Sequence, residues 1–411
     1  MDKPEIEASL PRFGVMTKFF IIIPGIPILT YCWLKWSDRR LREMNAPRAW
    51  RWFSQGSLLF FMVGYLWVLV ERKGLLGVAI PGWYYAFVLL WGVIFLPTLA
   101  VPLMALSWIR RFVRFLLAKM FPGRREIPKP EPGTGKMSRR HWLGVFATAL
   151  PALATIGTTL YSLPRLRRFR LREMTIFLPD LPDALDGVRI AHVTDTHVGK
   201  FTRGSVLDDL VAETNRLDAD LILFTGDLID NRLLDLPASI AMLKQMRSKA
   251  GLYIIEGNHD LFDNPENFRN GVREAGLNFL RDEAATVSVR GVPVQILGIA
   301  WSHNDDELAR SVDTVHALRD PAAYPLLLTH HPHAFDRAVA LGYPLTLAGH
   351  THGGQLMITG DLGAGAILFR YWTGLYRKKQ SQLVVSNGAG NWFPLRVNAP
   401  AEIIHLTLRK A

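Results

Sequence analysis

Long apolar runs dominate the first part of the chain, whereas short apolar runs alternate with amphipathic ones in the second part. Because a helix that is apolar on every side suits a bilayer better than the surface of a soluble protein, the long runs predict an N-terminal α-helical transmembrane bundle of about four helices. The first run contains Pro24, Gly25 and Pro27 and predicts a kinked span. A cleaved signal peptide is the alternative, but no small-residue cleavage site follows this run. The runs cover residues 19–34, 54–70, 74–109 and 142–163.

The charges of the connecting loops predict an orientation in the membrane. Residues 35–53 carry six Lys/Arg, residues 71–82 carry two and residues 110–141 carry ten. Since cytoplasmic loops are enriched in Lys and Arg, we expect the first and third loops in the cytoplasm. The N-terminus and everything after the fourth run would then lie outside. A cluster of five arginines within residues 165–172 is the opposing signal.

Two further features of this region bear on export. The stretch Ser138-Arg139-Arg140-His141-Trp142-Leu143 resembles a twin-arginine export signal at an internal position, and an ordinary basic cytoplasmic anchor is an equally good interpretation. Residues 122–136 are rich in Pro, Gly and Lys and predict a flexible cytoplasmic loop. The predicted location is therefore the bacterial inner membrane, with the second part of the chain on the periplasmic side.

The net charge of +12 is divided unequally along the chain. Residues 1–175 hold 26 Lys/Arg against 9 Asp/Glu, and the remainder holds 22 against 27, so the two parts carry +17 and −5. A pI near 9.9 would suggest nucleic acid as a partner, but the basic residues accompany the apolar runs. We therefore expect no nucleic-acid partner. The single cysteine, Cys32, excludes an intramolecular disulfide and leaves the redox compartment open.

Strand-like and helical patterns alternate from about residue 175 to the C-terminus. Helical periodicity covers residues 203–217, 238–249 and 305–318. Two short runs on either side of Arg290-Gly291 predict a hairpin. Such alternation predicts an α/β domain, with a boundary between residues 174 and 175. The remaining strand-like runs cover residues 188–193, 221–225, 252–255, 326–329, 345–348, 383–386 and 402–408.

Five short polar motifs each follow one of these strand-like runs. Strands that deliver polar loops to one edge of a sheet build a site at that edge. Carboxylate, imidazole and amide-oxygen ligands of this mixture suit divalent Mn, Fe or Zn. The motifs are Asp195-Thr-His197, Gly226-Asp227-Leu-Ile-Asp230, Gly257-Asn258-His259-Asp260, His330 and Gly349-His350-Thr-His352.

The order and spelling of the five motifs resemble the calcineurin-like metallophosphoesterases. Two further stretches, Gly353-Gly354-Gln355 and Ser386-Asn-Gly-Ala-Gly-Asn-Trp392-Phe-Pro394-Leu-Arg396, resemble the membrane-anchored bacterial branch of that superfamily. The resemblance covers roughly residues 170–411. It implies a β-sandwich of two mixed sheets flanked by helices for residues 175–411, after a membrane domain at residues 1–174.

The resemblance also implies a two-metal site that clamps a phosphoryl group for in-line displacement. His259 is expected to bind no metal and to contact the phosphoryl oxygens or protonate the leaving group. Asp260 is expected to orient His259 through its other ring nitrogen. The implied ligands are Asp195, His197 and His352 for the first ion, Asn258, His330 and His350 for the second, and Asp227 as the bridge between them.

Neighbouring histidines and acids have structural interpretations. His330 and His331 are adjacent, and the family spelling of a strand followed by histidine selects His330 as the ligand. Asp230 is expected to be a loop or helix-cap residue. The histidines expected to be solvated or structural are His192, His303 and His333.

These features predict a membrane-bound, two-metal phosphoesterase acting on phosphate mono- or diesters, with a membrane-proximal or lipid-linked substrate and membrane lipids around it. A cytoplasmic pyrophosphatase of a nucleotide-activated lipid precursor is the alternative if the orientation is reversed. A non-catalytic membrane sensor on the same fold is disfavoured because no implied ligand is substituted. The acidic charge of the second part disfavours a nuclease.

Overall fold

The structure, a computed structural model, describes residues 15–72, 80–121, 139–359, 362–363 and 365–411. It divides the chain into two compact units, Met1–Thr159 and Leu160–Ala411. The predicted boundary lies later, after residue 174. The difference arises because the strand Phe169–Leu178 pairs in parallel, over its full length, with the last strand of the chain, Ala401–Lys410. Arg170 and Arg172 therefore belong to a strand of the second unit.

Long helices form the described part of the first unit. The predicted apolar runs lie largely within these helices, apart from residues 74–79, which fall outside the described ranges. The π-helical segment contains Pro97, whose missing N–H cannot complete a regular ladder of hydrogen bonds. In chain order the helices are α1 (Val15–Glu43), α2 (Arg48–Arg72), α3 (Gly82–Leu89), the π-helical segment (Leu90–Ala100), α4 (Val101–Met120) and α5 (Arg139–Ser162).

Aromatic side chains form the buried core of the first unit. The Phe61 ring stacks on Trp91 at 4.3 Å and on Phe87 at 4.9 Å between ring centroids. The indole Nε1 of Trp91 donates to Thr30 Oγ1 at 3.1 Å, so the single polar atom of this buried ring is satisfied. Trp91 can thus pack between apolar side chains with its own donor paired.

Two helical stretches in the described residues are long and apolar enough to cross a bilayer, judged by length and composition. They are Gly82–Met120 and Trp142–Arg167, whose most apolar windows have mean hydropathies of 2.2 and 1.6. The predicted membrane bundle of about four helices is supported only to this extent. The predicted loop at residues 122–136, and Ser138 of the export-like stretch, lie outside the described residues.

Strands and helices alternate through the second unit, which confirms the predicted α/β pattern. The predicted hairpin around Arg290-Gly291 is the antiparallel pair β6–β7. The strands are β1 (Phe169–Leu178), β2 (Arg189–Val193), β3 (Leu221–Thr225), β4 (Leu252–Ile255), β5 (Asn278–Phe279), β6 (Glu283–Val289), β7 (Val292–Gly298), β8 (Tyr324–Leu328), β9 (Leu345–Ala348), β10 (Met357–Thr359), β11 (Leu362–Gly363), β12 (Gly374–Lys378), β13 (Ser381–Val385) and β14 (Ala401–Lys410). The helices are α6 (Ser205–Arg216), α7 (Leu236–Gln245), α8 (Pro265–Glu274), α9 (Asp305–Ala317), α10 (Phe335–Ala340) and α11 (Gly365–Leu368).

Two six-stranded mixed sheets organise the second unit, as the family resemblance implies. Their strand orders are β1-β14-β2-β3-β4-β5 and β12-β13-β9-β8-β7-β6. Strands β2, β3 and β4 are parallel to one another, and so are β7, β8 and β9. Because parallel strands end at the same edge of a sheet, the loops after β2, β3, β4, β8 and β9 can contribute to one site.

The core of the second unit lies between the two sheets and beneath the helices. Leu221 and Leu223 of β3 belong to one buried cluster together with Leu326 of β8. Ile222 and Phe224, on the other face of β3, pack in a second cluster with residues of α6, α7 and α8. A strand buried on both faces reads as a continuous apolar run, which is why β3 lacks alternating polar positions. The site loops are thus attached to strands held on both sides.

Candidate metal centre

The five polar motifs lie where their strands end, and their backbone conformations are unusual. Asp195, His197, Asp227, His350 and His352 all have positive φ angles, between 43° and 71°. Side chains other than glycine rarely adopt this region, and such strain collects at functional sites where the surroundings hold it. Here the Asp195 N–H donates to the Gly226 carbonyl at 2.9 Å, and the His197 N–H donates to the Asp227 carbonyl at 3.1 Å. The loops after β2 and β3 therefore hold each other.

The first cluster of ligand-type side chains joins Asp195, His197 and His352. His352 Nε2 lies 3.1 Å from Asp195 Oδ1 and 2.9 Å from His197 Nε2. Two neighbouring ligands of one ion, each about 2.1 Å from it, are about 3 Å apart. These atoms therefore have the spacing of ligands that share an ion. The Thr194 hydroxyl donates to Asp195 Oδ2 at 2.7 Å and fixes this carboxylate.

The second cluster joins Asp227, His330 and His350 with the amide of Asn258. His330 Nε2 lies 3.2 Å from Asp227 Oδ2, and His350 Nδ1 lies 2.9 Å from Asn258 Oδ1. His330 Nδ1 lies 2.6 Å from the Thr225 carbonyl oxygen, which can only accept. In the neutral form of the ring, Nδ1 therefore carries the proton, and the lone pair of Nε2 faces the cluster. This is the tautomer of a metal ligand.

Asp227 lies between the two clusters. Its Oδ2 is 3.4 Å from His197 Nε2 in the first cluster and 3.2 Å from His330 Nε2 in the second. Its Oδ1 accepts the backbone N–H of His259 at 2.8 Å. This is the place predicted for a bridging ligand. The structure thus brings together all seven side chains predicted as ligands, while their metal-binding roles stay a prediction.

The donor set fits divalent cations. Asp195 and Asp227 are fully buried, and their ion-pairing neighbours in the described part of the chain are histidines. Buried carboxylates are unfavourable unless positive charge accompanies them. His330 Nε2 is buried and has no hydrogen-bond partner among the described residues. Both features are explained if cations occupy the space between these atoms.

Glycine lets the backbone pass directly behind both carboxylates. A Cβ atom added at Gly257 would lie 2.3 Å from Asp227 Oδ1, and one added at Gly349 would lie 2.1 Å from Asp195 Oδ2. Real side-chain atoms do not approach so closely, so neither position can carry a side chain without moving a carboxylate. Steric exclusion therefore explains why the Gly-Asn-His and Gly-His motifs have glycine at these positions.

The electrostatics of the centre favour positive charge. Burial lowers the pKa of His330, but the Asp227 carboxylate outweighs burial and raises this pKa to about 9. Burial, with the neighbouring charge of His330, lowers the pKa of His350 to about 3. Burial raises the pKa of Asp195, but the adjacent histidines outweigh it and hold this pKa well below its usual range. The two carboxylates therefore stay ionised at neutral pH.

His259 lies beside the clusters, and Asp230 orients it. His259 Nδ1 lies 2.5 Å from the carbonyl oxygen of Asp230 and 3.4 Å from its Oδ1. Burial lowers the pKa of His259, but the charges of Asp227 and Asp230 outweigh burial and raise this pKa above its ordinary value. A proton is therefore available on His259 at neutral pH. The sequence carries a signal for Asp230, since it is the second acid of the Gly-Asp-x-x-Asp motif, but the motif alone predicts a loop or cap residue there.

The predicted pairing of Asp260 with His259 is wrong. Asp260 Oδ1 accepts the N–H of Ile229 at 3.0 Å, and Oδ2 accepts the N–H of Gly257 at 2.9 Å. Burial and the charge of Asp227 raise the pKa of Asp260 to about 8, against the opposing effect of these two donors. Asp260 thus joins the loop that carries Asp227 to the loop that carries Asn258. Its side chain turns away from His259 because these backbone groups would otherwise be buried without partners.

Arg396 is a fully buried residue behind the first cluster to which the sequence assigned no role. A guanidinium donates hydrogen bonds and accepts none, so the acceptor in its 3.1 Å contact is His352 Nδ1, which therefore carries no proton. Burial lowers the pKa of Arg396 to about 10, so it keeps its charge at neutral pH. The five acceptors of its five N–H groups are Asn391 Oδ1, the carbonyl oxygens of Asn387, Gly390 and Ala399, and His352 Nδ1.

The remaining histidines agree with their structural interpretation. His192 lies on the buried strand β2, and its Nε2 is 2.8 Å from the hydroxyl of Thr225 on β3. His333 Nδ1 lies 3.2 Å from Asp305 Oδ1. His331 Nδ1 accepts the backbone N–H of His333 at 3.2 Å and so stabilises the turn after β8. His303 is exposed.

Comparison with known proteins places this site in a family. A family model described as calcineurin-like phosphoesterase matches residues 188–354, which include every predicted ligand and His259. An uncharacterized metallophosphoesterase of Bacillus subtilis is 30% identical over 289 residues, which cover 67% of this chain and 98% of that protein. One from Helicobacter pylori is 29% identical over 246 residues, covering 59% of this chain and 65% of that protein.

A relative from Danio rerio is described as a transmembrane protein with a metallophosphoesterase domain. It is 30% identical over 254 residues, which cover 58% of this chain and 57% of that protein. The chain thus spans less than two thirds of the Helicobacter pylori and Danio rerio relatives, but nearly all of the one from Bacillus subtilis. The chain belongs to the calcineurin-like metallophosphoesterase family.

Proposed function

We propose that this protein hydrolyses phosphate mono- or diesters with the help of two divalent metal ions. The observation that carries the proposal is the shared position of Asp227, whose Oδ2 is 3.4 Å from His197 Nε2 and 3.2 Å from His330 Nε2. A carboxylate between two sets of ligands is the requirement for a pair of neighbouring ions. The family match, described as a phosphoesterase, supplies the reaction class.

The ligands divide between the ions as the clusters do. When bound, the two ions supply Lewis-acid stabilisation of the phosphoryl oxygens and activation of the attacking water. Mixed imidazole, carboxylate and amide ligands accept Mn, Fe or Zn. The proposed set is Asp195, His197 and His352 for the first ion, Asn258, His330 and His350 for the second, and Asp227 for both.

His259 is proposed to protonate the leaving oxygen. Its Nδ1 is engaged by Asp230 at 2.5 Å, so Nε2 is the ring nitrogen left for a substrate. The raised pKa of His259 keeps the acid form populated at neutral pH. Asp230 acts through His259 and is proposed as a positioning residue.

The substrate is proposed to be membrane-proximal, such as a phospholipid or a lipid-linked phosphate. Two candidate spans precede β1, and only a short connection separates the end of α5 at Ser162 from the start of β1 at Phe169. The loop charges favour the outer side of a bacterial inner membrane for the second unit. A phosphoesterase tethered this closely would meet esters at the bilayer surface first.

The orientation can be tested with two reporter fusions. A reporter active only outside the cytoplasm is expected to be active after Ala411 and silent within residues 122–136. The reverse pattern would remove the exported enzyme and favour a cytoplasmic-facing pyrophosphatase of a nucleotide-activated lipid precursor.

The reaction class can be tested with purified full-length protein in detergent or nanodiscs. We expect hydrolysis of chromogenic phosphate mono- or diesters that disappears with a chelator and returns with Mn, Fe or Zn. Lipid phosphates should then be cleaved faster than water-soluble esters. A metal-loaded protein that cleaves none of these esters would contradict the proposal.

A further inference from the structure

Two exposed aromatic rings lie next to His259. The ring centroid of Phe262 is 4.6 Å from the imidazole, and that of Trp392 is 5.5 Å from it. Phe262 is 58% exposed and Trp392 is 40% exposed. Large aromatic side chains next to a reactive group, left open to solvent, commonly mark ligand contacts.

The rest of the site shows that these two rings are not explained by packing alone. Trp301 also lies at the site, but it packs against the histidines themselves, 4.8 Å from His350 and 5.3 Å from His330 between ring centroids. Its place is accounted for by support of the second cluster. Among the described residues, Phe262 and Trp392 have ring contacts with His259 and, for Trp392, with its neighbour Phe393, and both leave much of their surface open.

The protein holds Trp392 firmly although its ring is exposed. Its chain neighbours Asn391 and Phe393 are buried. The backbone N–H of Asn391 donates to Thr202 Oγ1 at 2.9 Å, and its side-chain amide donates to the Leu166 carbonyl at 2.9 Å. A ring fixed before binding loses little conformational freedom when it contacts a ligand.

We propose that Phe262 and Trp392 form the subsite for the leaving group, and that this leaving group is an apolar alcohol, either alkyl or aryl. The proposal rests on the proposed function, in which His259 protonates the leaving oxygen. The group attached to that oxygen must lie on the His259 side of the phosphorus. That side is bounded by the two rings.

The reaction balances as a hydrolysis. The oxygen of one water bonds to phosphorus as the bond from phosphorus to the leaving oxygen breaks. The electron pair of that bond goes to the leaving oxygen, which takes a proton from His259. The proton lost by the attacking water replaces it on His259 at the end of the cycle. The apolar alcohol departs, and the other product is inorganic phosphate from a monoester or a phosphate monoester from a diester.

Chain-length dependence tests the subsite directly. The substrates are n-alkyl phosphates from methyl to hexyl, below their micelle concentrations, as monoesters and symmetric diesters, with alkanol release measured for the metal-loaded full chain. We expect kcat/KM to rise at least about tenfold from methyl to hexyl, because each added methylene is removed from water against the rings. In the Phe262→Ala/Trp392→Ala double variant, the ratio of the hexyl to the methyl value should fall to within about twofold.

Matched variants separate contact from folding. Phe177→Ala removes a ring with a similar exposure of 52%, on β1, and should keep the wild-type ratio. Phe262→Leu and Trp392→Phe keep an apolar surface and should retain most of the rise. Metal content should be equal in all variants. Benzyl and cyclohexylmethyl phosphate, whose alcohols are similarly acidic, distinguish an aryl from an alkyl preference by which one is cleaved faster.

The outcomes that would overturn the subsite differ from those that would overturn the function. Hydrolysis with no rise from methyl to hexyl, or a rise that persists in the double variant, would contradict the subsite and leave the phosphoesterase intact. No hydrolysis of any ester by the metal-loaded wild type would contradict the proposed function, and the subsite with it.

Discussion

The two clusters of the metal centre differ in what lies behind their histidines. Behind His330 is the Thr225 carbonyl, 2.6 Å from Nδ1, so the neutral form of this ring keeps its lone pair on Nε2. Behind His352 is the Arg396 guanidinium, 3.1 Å from Nδ1, so a neutral His352 carries its proton on Nε2, next to Asp195 Oδ1. Binding of an ion at His330 Nε2 leaves the contact with Thr225 in place, whereas binding at His352 Nε2 must remove the only proton of the neutral ring or loosen the arginine contact. We expect the second ion to bind more tightly.

Asp227 belongs to both clusters, so its replacement should remove the difference between them. Asp227→Asn is expected to lower kcat/KM by about a thousandfold or more, because a neutral side chain cannot offset two dications. Metal content should fall below two ions per chain while the fold persists, measured by elemental analysis and circular dichroism. Asp218→Asn, on the exposed surface, is the control and should change neither. Full activity with unchanged metal content would contradict the shared role.

His259 belongs to neither cluster, so its replacement should leave both unchanged. His259→Asn is expected to keep both ions and to lose about 10²- to 10⁴-fold in kcat for esters of poor leaving groups. The loss should be much smaller for 4-nitrophenyl esters, whose leaving group needs no proton. Loss of metal together with activity would identify His259 as a ligand.

Variants of Asp230 and of Asp260 show which of these two acids acts on His259. Asp230→Asn keeps the backbone carbonyl contact to His259 and should lower activity on poor leaving groups by about ten- to a hundredfold, because it removes a negative charge that keeps His259 protonated. It should also move the alkaline limit of activity to lower pH, because removal of the carboxylate charge lowers the pKa of His259. Asp260→Asn loses one acceptor for two buried N–H groups and should lower the unfolding temperature without changing the dependence on the leaving group. If Asp260→Asn changes the dependence on the leaving group and Asp230→Asn does not, Asp260 is the acid that acts on His259.

The difference between the clusters should be measurable as two metal affinities. Titration of the metal-free protein with Mn²⁺ is expected to give two dissociation constants separated by about tenfold or more, in line with the effect of groups behind a ligand. His330→Ala should remove the tighter step and His352→Ala the weaker one. Equal affinities in the wild type would show that Arg396 does not influence the first site.

The sequence was sufficient for the features that depend on local pattern. β3, β4 and β9 have the predicted bounds because a strand buried on both faces gives an uninterrupted apolar run bounded by polar residues. The ligand-type residues were found because each motif follows such a strand directly. The shared sheet edge then brings them together.

The features that the sequence missed depend on contacts between distant segments. β1 was not predicted because three of its ten residues are charged, and it is held by pairing with β14, more than two hundred residues away. Asp230 and Asp260 could not be distinguished as partners of His259 because both lie close to ligand motifs. Only the turn after β3 decides which carboxylate reaches the ring. Arg396 lies in the stretch of residues 386–396, which resembles the membrane-anchored branch of the superfamily. Its contact with His352 forms only in the folded loop and cannot be read from that resemblance.

The most direct test of the shared carboxylate is electron paramagnetic resonance of the protein loaded with Mn²⁺. Two ions that share Asp227 should be spin-coupled, so the wild type with two ions per chain is expected to give the multiline spectrum of a coupled pair. Asp227→Asn should give only the six-line spectrum of isolated Mn²⁺. A wild type that saturates at one ion per chain, or that binds two ions without coupling, would contradict a two-metal centre built around Asp227.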